Sequence, residues 1–425
     1  MGLAGLTGSD VPDLPPCPTC HPQSNMRMMR GRRLLALSVV VAALLGAATI
    51  ARPYVHGLSF VIRAAEMQGA PRRIADLDTA RVSEREISIP TRRGPMRARL
   101  YEPAGSHMRA ALLTSGLHAS GIDEPRLVRL ARQIAASRVA VVTPDIPELS
   151  RFEIAPAITD AIEDGGVWLA SDATLAPDRT AALMGISFSG GLSIIAAGRA
   201  SLADRVAYVF SLGGHDDLAR VLRYLCTGRE PRPTPNVQLG SPTVDSTFVL
   251  PPHDYGVAVI LLSLADRVVP PSQVERLRAG VRQYLWASAL DGGVDKARAP
   301  AEFDAVRRLA RTLPEPSATL LRYVLERDVV HLGARLLPLI GSNGSADALS
   351  VSKSPKPSAP VFLLHGLEDN VVPAVESEYL AEDLRGHGPV RLLLSGLISH
   401  AEADRPMHAG DVLQLAGFWG DLLSR

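Results

Sequence analysis

The stretch GISFSG, Gly185 to Gly190, sets two serines among glycines between an apolar run, RTAALM, and a helix-like run, GLSIIAAGRA. A serine becomes a nucleophile when a strand-to-helix turn bends its hydroxyl outward, a strained geometry that needs small residues two positions to either side. Gly185 and Ser189 meet that need for Ser187, and Ser187 and Gly191 meet it for Ser189. Position favours Ser187, because Gly185 directly ends the apolar run and GGLSII opens a helix whose amino end favours developing negative charge. From these six residues alone, a glycine- and serine-rich turn without chemistry reads equally well.

A hydroxyl nucleophile needs a base, and the base needs an orienting carboxylate. HGLEDNVVP offers Asp369 and SGLISHAEAD offers His400; the 31 residues separating them (400 − 369) hold one helix, AVESEYLAEDLRGHG, and one strand. The chain order serine, aspartate, histidine suits a nucleophile turn of this kind. Other residues compete. Asp266 in LADRVVPPSQ repeats the D-x-V-V-P pattern, but YGVAVILLSLADR before it also reads as a helix, and no histidine follows at the helix-plus-strand distance. Asp216 and Asp217 in GGHDD end another apolar run, where they would either replace Asp369 or cap a helix. His118 and His365 fall in strand-end loops, where histidines commonly settle local hydrogen bonds.

The elements that must position these residues follow from periodicity. EISIP and MRARLYEP read as an opening strand pair; RAALLTSG, RVAVVTPD, TAALMG and VAYVFSLGG read as strands buried on both faces. Between them EPRLVRLARQIAAS, PAITDAIEDGGVWLAS and SGGLSIIAAGRA carry helical periodicity. This is the βαβ rhythm of a doubly wound, mostly parallel sheet, in which reactive groups collect at the carboxyl ends of strands. The rhythm stops near Gly214 and resumes at PVFLLHG and PVRLLLSG. The stretch between is helical in pattern, as in QVERLRAGVRQYLWASAL and AEFDAVRRLARTL, and ends in a linker-like GSNGSADALSVSKSPKPSAP.

Together GISFSGG, LLHGLEDNVVP and SGLISHAE resemble the α/β-hydrolase superfamily, over roughly residues 84–213 and 359–425. The resemblance implies an α/β fold with a mostly parallel sheet, Ser187 as nucleophile, His400 as general base and Asp369 as its orienter, with no cofactor and no metal. It further implies two backbone donors to an oxyanion. One is the N–H of Phe188; the other belongs to the loop after RAALLTSG, where members often carry His-Gly. Here Ser115 and Gly116 stand in those places, and Leu117 is the expected donor. The implied chemistry is hydrolysis of an ester, thioester or amide on a small-molecule or lipid-like acyl substrate. Lipid acyl transfer and peptidase action are alternatives on the same fold, and a tethered, non-catalytic binding protein is a third.

Residues 1–25 are rich in Pro, Gly and Ser without apolar periodicity and predict disorder, with Met26, Met28 or Met29 as alternative starts. In 26–52, four arginines (Arg27, Arg30, Arg32, Arg33) precede an uncharged run from Leu34 to Ala51, close to bilayer-spanning length. It reads as an uncleaved anchor or a signal segment cut after Ala51, the body being exported in either case. The segment YVHGLSFVIRAAEMQ then reads as amphipathic, lying on the membrane or on the domain. The body thus divides into 84–213, a helical insertion with linker over 214–358, and 359–425. A formal net charge of +1 and an aromatic share of 4% argue against nucleic acid as partner. CPTC (Cys17, Cys20) lacks the second pair of a zinc site, no His/Asp/Glu cluster has metal-ligand spacing, and Cys226 reads as a buried apolar residue.

Overall fold

The computed structural model describes residues 46, 49, 51–105, 107, 109–231, 247–249, 251–341, 346–398 and 409–425. The chain divides into two units, Met1–Arg52 and Pro53–Arg425. The Pro-rich tail, nearly all of the expected anchor and His400 lie outside the described residues. Among the described residues no helix is long and apolar enough to cross a membrane.

In the second unit eight strands form one sheet, in the order β1-β2-β4-β3-β5-β6-β9-β10. β1 (Val82–Thr91) and β2 (Gly94–Pro103) make an antiparallel hairpin. β3 (Ala110–Thr114), β4 (Ala140–Pro144), β5 (Ala181–Ile186), β6 (Val206–Leu212), β9 (Val361–Gly366) and β10 (Val390–Ser395) run parallel to one another. A short pair, β7 (Arg229–Pro231) with β8 (Thr247–Val249), stands apart. The residues of β3, β4 and β9 are buried throughout, which is why these segments lack the in–out alternation of a one-sided sheet. The sheet is mixed but mostly parallel, with helices on both faces, as the βαβ rhythm of the sequence predicts.

Helices cover both faces. Residues 53–64 (α1), α2 (Ala70–Ala75), α3 (Pro125–Ala136) and α14 (Ala409–Ser424) belong with one face, where Phe60, Tyr208, Phe210, Phe362, Phe418 and Trp419 build an aromatic-rich core. α4 (Pro147–Ser150), α5 (Ala157–Ser171), α6 (Phe188–Ala197) and α13 (Val375–Asp383) belong with the other. α5 carries Gly165 and Gly166 where it crosses the sheet; a β-carbon there would lie 3.0 Å from the side chains of Leu112 and Leu183, so the glycines set how closely helix and sheet approach.

Between β6 and β9 lie α7 (Leu218–Thr227), α8 (Asp254–Val268), α9 (Pro271–Ala289), α10 (Ala299–Ala310), α11 (Ser317–Leu325) and α12 (Val329–Leu336). They share an apolar cluster of their own, centred on residues such as Leu261, Leu277, Leu285 and Leu321. YGVAVILLSLADR is helix α8, and its Asp266 is exposed and pairs with Arg278 at 3.1 Å, away from any strand end. The linker-like reading of GSNGSADALSVSKSPKPSAP is corrected in part. Two 3-10 turns, Asp347–Leu349 and Val351–Lys353, bury Leu349 and Val351 in the sheet-side core. Two of the serines that suggested a linker are hydrogen-bonding groups here: Ser350 Oγ accepts the Leu218 N–H (2.9 Å) and donates to Ala346 O (2.8 Å), and Ser354 Oγ donates to Ser350 O (2.8 Å).

Candidate active site

Ser187 stands between β5 and α6 with φ 55° and ψ −128°, a backbone conformation that side-chain-bearing residues rarely adopt. Three contacts hold it there. Its N–H donates to Leu212 O on β6 (2.6 Å), its carbonyl accepts the Gly190 N–H (2.8 Å), and the helix behind it is buried from Phe188 to Ala197. The flanking glycines are needed for space: a β-carbon on Gly185 would fall 2.1 Å from Ser189 O, and one on Gly190 would fall 2.4 Å from Ser211 Oγ. The Ser187 side chain is half-buried and therefore reachable.

Ser189, the other serine of the turn, is fully buried and donates its hydroxyl to Ser115 O at 2.5 Å. That bond explains why serine occupies a place where such turns usually have glycine: it ties α6 to the loop leaving β3. The same loop brings Gly116 beside the nucleophile. A β-carbon on Gly116 would lie 3.4 Å from Ser187 Cβ, so the backbone at Gly116 passes close beside the serine. The Leu117 N–H has no hydrogen-bond partner among the described residues, and its carbonyl accepts from Tyr255 Oη of α8 at 2.5 Å. Phe188 is the first residue of α6, and its N–H has no intrahelical acceptor. Sequence reasoning missed Tyr255, since nothing in the pattern of α8 relates it to a loop 138 residues away.

Asp369 follows β9 and is buried. Its Oδ1 accepts the N–H groups of Val371 (2.9 Å) and Val372 (3.0 Å), which fix the carboxylate. Its Oδ2 lies on the side of Gly213, where a β-carbon would come within 3.3 Å, and 3.4 Å from His365 Nε2. Gly213 has φ +65°, so both its conformation and its lack of a side chain admit the carboxylate. His365 is fully buried; its Nε2 donates to Val372 O (2.7 Å), leaving Nδ1 to accept from Ser377 Oγ (2.7 Å). It braces the Asp369 turn. β6 alone separates the strand of Ser187 from that of Asp369, about 10 Å between strand axes. β10, whose continuation carries His400, lies beside β9.

The other candidates are held in structural bonds. His118 Nδ1 accepts the Ser120 N–H at 3.2 Å, and burial lowers the pKa of its ring. His215 is buried, stacked on Phe188 (centroids 5.3 Å apart) and bonded through Nε2 to Leu349 O (2.8 Å); desolvation lowers its pKa too. Asp217 caps α7 by accepting the Arg220 N–H (2.9 Å). Asp216 pairs with Arg220 at 3.1 Å, yet burial dominates and pushes its carboxyl up to about 6. Fully buried Glu376 joins them: it accepts the N–H groups of Asp216 (2.8 Å) and Asp217 (3.0 Å) and binds the Arg220 guanidinium (2.5 Å). Cys226 is buried, and desolvation pushes its thiol up to about 12. Among the described residues no group of His, Cys, Asp and Glu could hold a metal ion.

No family model matches the chain, and no curated protein matches it. Solved structures do resemble it at low identity. An esterase of the archaeon Pyrobaculum calidifontis is 17% identical, covering 88% of this chain and 93% of its own, with a TM-score of 0.41. The uncomplexed acylaminoacyl peptidase of Pyrococcus horikoshii is 10% identical over 84% of this chain and 43% of its own, with a TM-score of 0.44. An esterase of Pyrococcus furiosus is 9% identical over 75% of this chain and 84% of its own, with a TM-score of 0.39.

Proposed function

We propose that the chain is a serine hydrolase that cleaves a carboxylic ester, thioester or amide through an acyl-enzyme on Ser187. The observation that carries this reading is the strained, half-buried Ser187 at the amino end of α6, with the Gly116 backbone alongside and Asp369 fixed two strands away. In the proposed reaction His400 removes the Ser187 proton as Oγ attacks the substrate carbonyl, and Asp369 holds the imidazole and balances its charge. The N–H groups of Phe188 and Leu117 receive the oxyanion, aided by the positive end of α6. Collapse expels the alcohol, thiol or amine with the proton from His400; water, deprotonated by the same imidazole, then releases the acid.

Residues 34–51 are proposed to tether the enzyme to a membrane, with the hydrolase body on the extracytoplasmic side. An apolar or lipid-like acyl substrate would suit that location. A fluorophosphonate probe tests the central claim. Labelling of the folded wild-type chain that disappears in Ser187→Ala is expected; a folded wild-type chain that stays unlabelled, or a Ser187→Ala variant that labels equally, overturns it. A panel of ester, thioester and peptide substrates then separates esterase from peptidase action.

A further inference from the structure

Eight large hydrophobic side chains are exposed among the described residues, and six of them lie on α1, on α14 or on the segment of α2 and the 3-10 turn Asp76–Asp78. α1 contributes Tyr54, Val55 and Leu58; the α2 segment contributes Ile74 (68% exposed) and Leu77 (85%); α14 contributes Leu413. The two N-terminal segments are joined: Ser59 Oγ donates to Ala75 O (2.8 Å), and His56 Nδ1 pairs with Asp78. α1 is fastened to the body by its other face. Phe60 packs on Trp419 with ring centroids 4.0 Å apart, Arg63 binds Gln133 and Ser137 of the α3 end, and Gly57 and Gly420 let the backbones of α1 and α14 touch. α1 therefore presents apolar side chains on both faces, and a helix of that kind at a surface needs a cover.

We propose that the face made by Tyr54, Val55, Leu58, Ile74 and Leu77 lies in the headgroup and upper acyl region of a bilayer, seating the body on the membrane. This rests on the tether reading above. The uncharged run ends at Ala51, three residues before Tyr54, so the stretch proposed to enter the lipid leads in sequence directly into the first residue of the patch. A tyrosine at the patch edge and an exposed Arg73 beside Ile74 suit the interfacial zone of an anionic membrane. A lipid surface fits this face better than a second copy, because the run that would enter the lipid feeds directly into it.

The test uses the full chain, with Cys17, Cys20 and Cys226 replaced by serine or alanine, reconstituted in vesicles of phosphatidylcholine and phosphatidylglycerol. An environment-sensitive fluorophore is placed on Leu77→Cys or, as control, on Val330→Cys, an exposed position on α12. Vesicle flotation reports the tether, and quenching by bromine on the lipid acyl chains reports contact of the patch. We expect flotation of both, with blue-shifted and bromolipid-quenched emission at position 77 and neither effect at 330. Flotation without quenching at 77 overturns the seating while the tether stands. A blue shift at 77 without quenching overturns it as well, since protein would then cover the face. Failure to float removes both.

Discussion

Ser187 at the end of β5 and the trio His215, Asp216 and Asp217 at the end of β6 stand one strand apart, each in a glycine-flanked turn that opens a helix. At the first, the strain of a positive φ falls on Ser187, the proposed nucleophile, and that residue is left half-buried. At the second, the positive φ falls on Gly213, which bears no side chain; His215 is buried against Phe188, and Asp216 and half-buried Asp217 join Arg220 and Glu376. Residue type does not distinguish a reactive turn from a supporting one. What differs is where the strain is placed and which polar groups already have partners.

Four experiments would break or sharpen this contrast. Removing the reactive hydroxyl should have the largest effect: Ser187→Ala is expected to lower kcat on activated short-chain esters by roughly 10⁴-fold or more, with the urea midpoint essentially unchanged. Full activity in that variant would end the distinction. The supporting turn should respond in the opposite way. Glu376→Ala removes one carboxylate partner of Arg220 and strands two amides, and is expected to cost about 3–5 kcal/mol in urea unfolding, while kcat per folded molecule changes only a few-fold. A selective loss of kcat with unaltered stability would move the second turn into the chemistry.

Asp216 gives a pH signature. Its folded carboxyl titrates near 6, above the ordinary aspartate value of 3.8, so folding favours the protonated form. The resulting penalty is absent below about 3.8, grows as pH rises, and is complete above about 6. Asp216→Asn should therefore match wild type near pH 4 and exceed it by on the order of 2–3 kcal/mol at pH 7; unfolding curves at both pH values check this, and a constant offset would refute it. The smallest effect belongs to Ser189→Ala, which leaves the Ser115 carbonyl unpaired at about 1–2 kcal/mol. Because that bond aligns the loop carrying the Leu117 N–H, kcat should fall roughly 10-fold with KM nearly constant, and an unchanged kcat would detach the loop from the reaction.

Much of the sheet was legible because strands buried on both faces must be continuously apolar, as RVAVVTPD and PVFLLHG are. The strained turn at Ser187 was legible because its steric demand is local, imposed on Gly185 and Ser189, two positions to either side. YGVAVILLSLADR stayed ambiguous: an apolar run of that length suits a buried strand or a buried helix, and packing against α7 and α9 decides it. Glu376 closes its bracket across 156 residues to Arg220, and Tyr255 reaches Leu117 across 138; contacts set by tertiary approach leave no periodic trace. The buried turns at 347–353 were misread because serines that serve backbone groups in the interior look, in sequence, like serines that serve solvent.

Tyr255 sits on a helix that is no part of the sheet, yet its phenol holds the carbonyl of Leu117, the residue proposed as second oxyanion donor. On the proposed reading, a load on α8, whether from an incoming guest or from a mutation among the inserted helices, would reach the electrophile's receiving end through that bond. Entry and readiness would then be geared together, and changes far from Ser187 would register as changes in turnover while every group proposed to handle a proton stays in place.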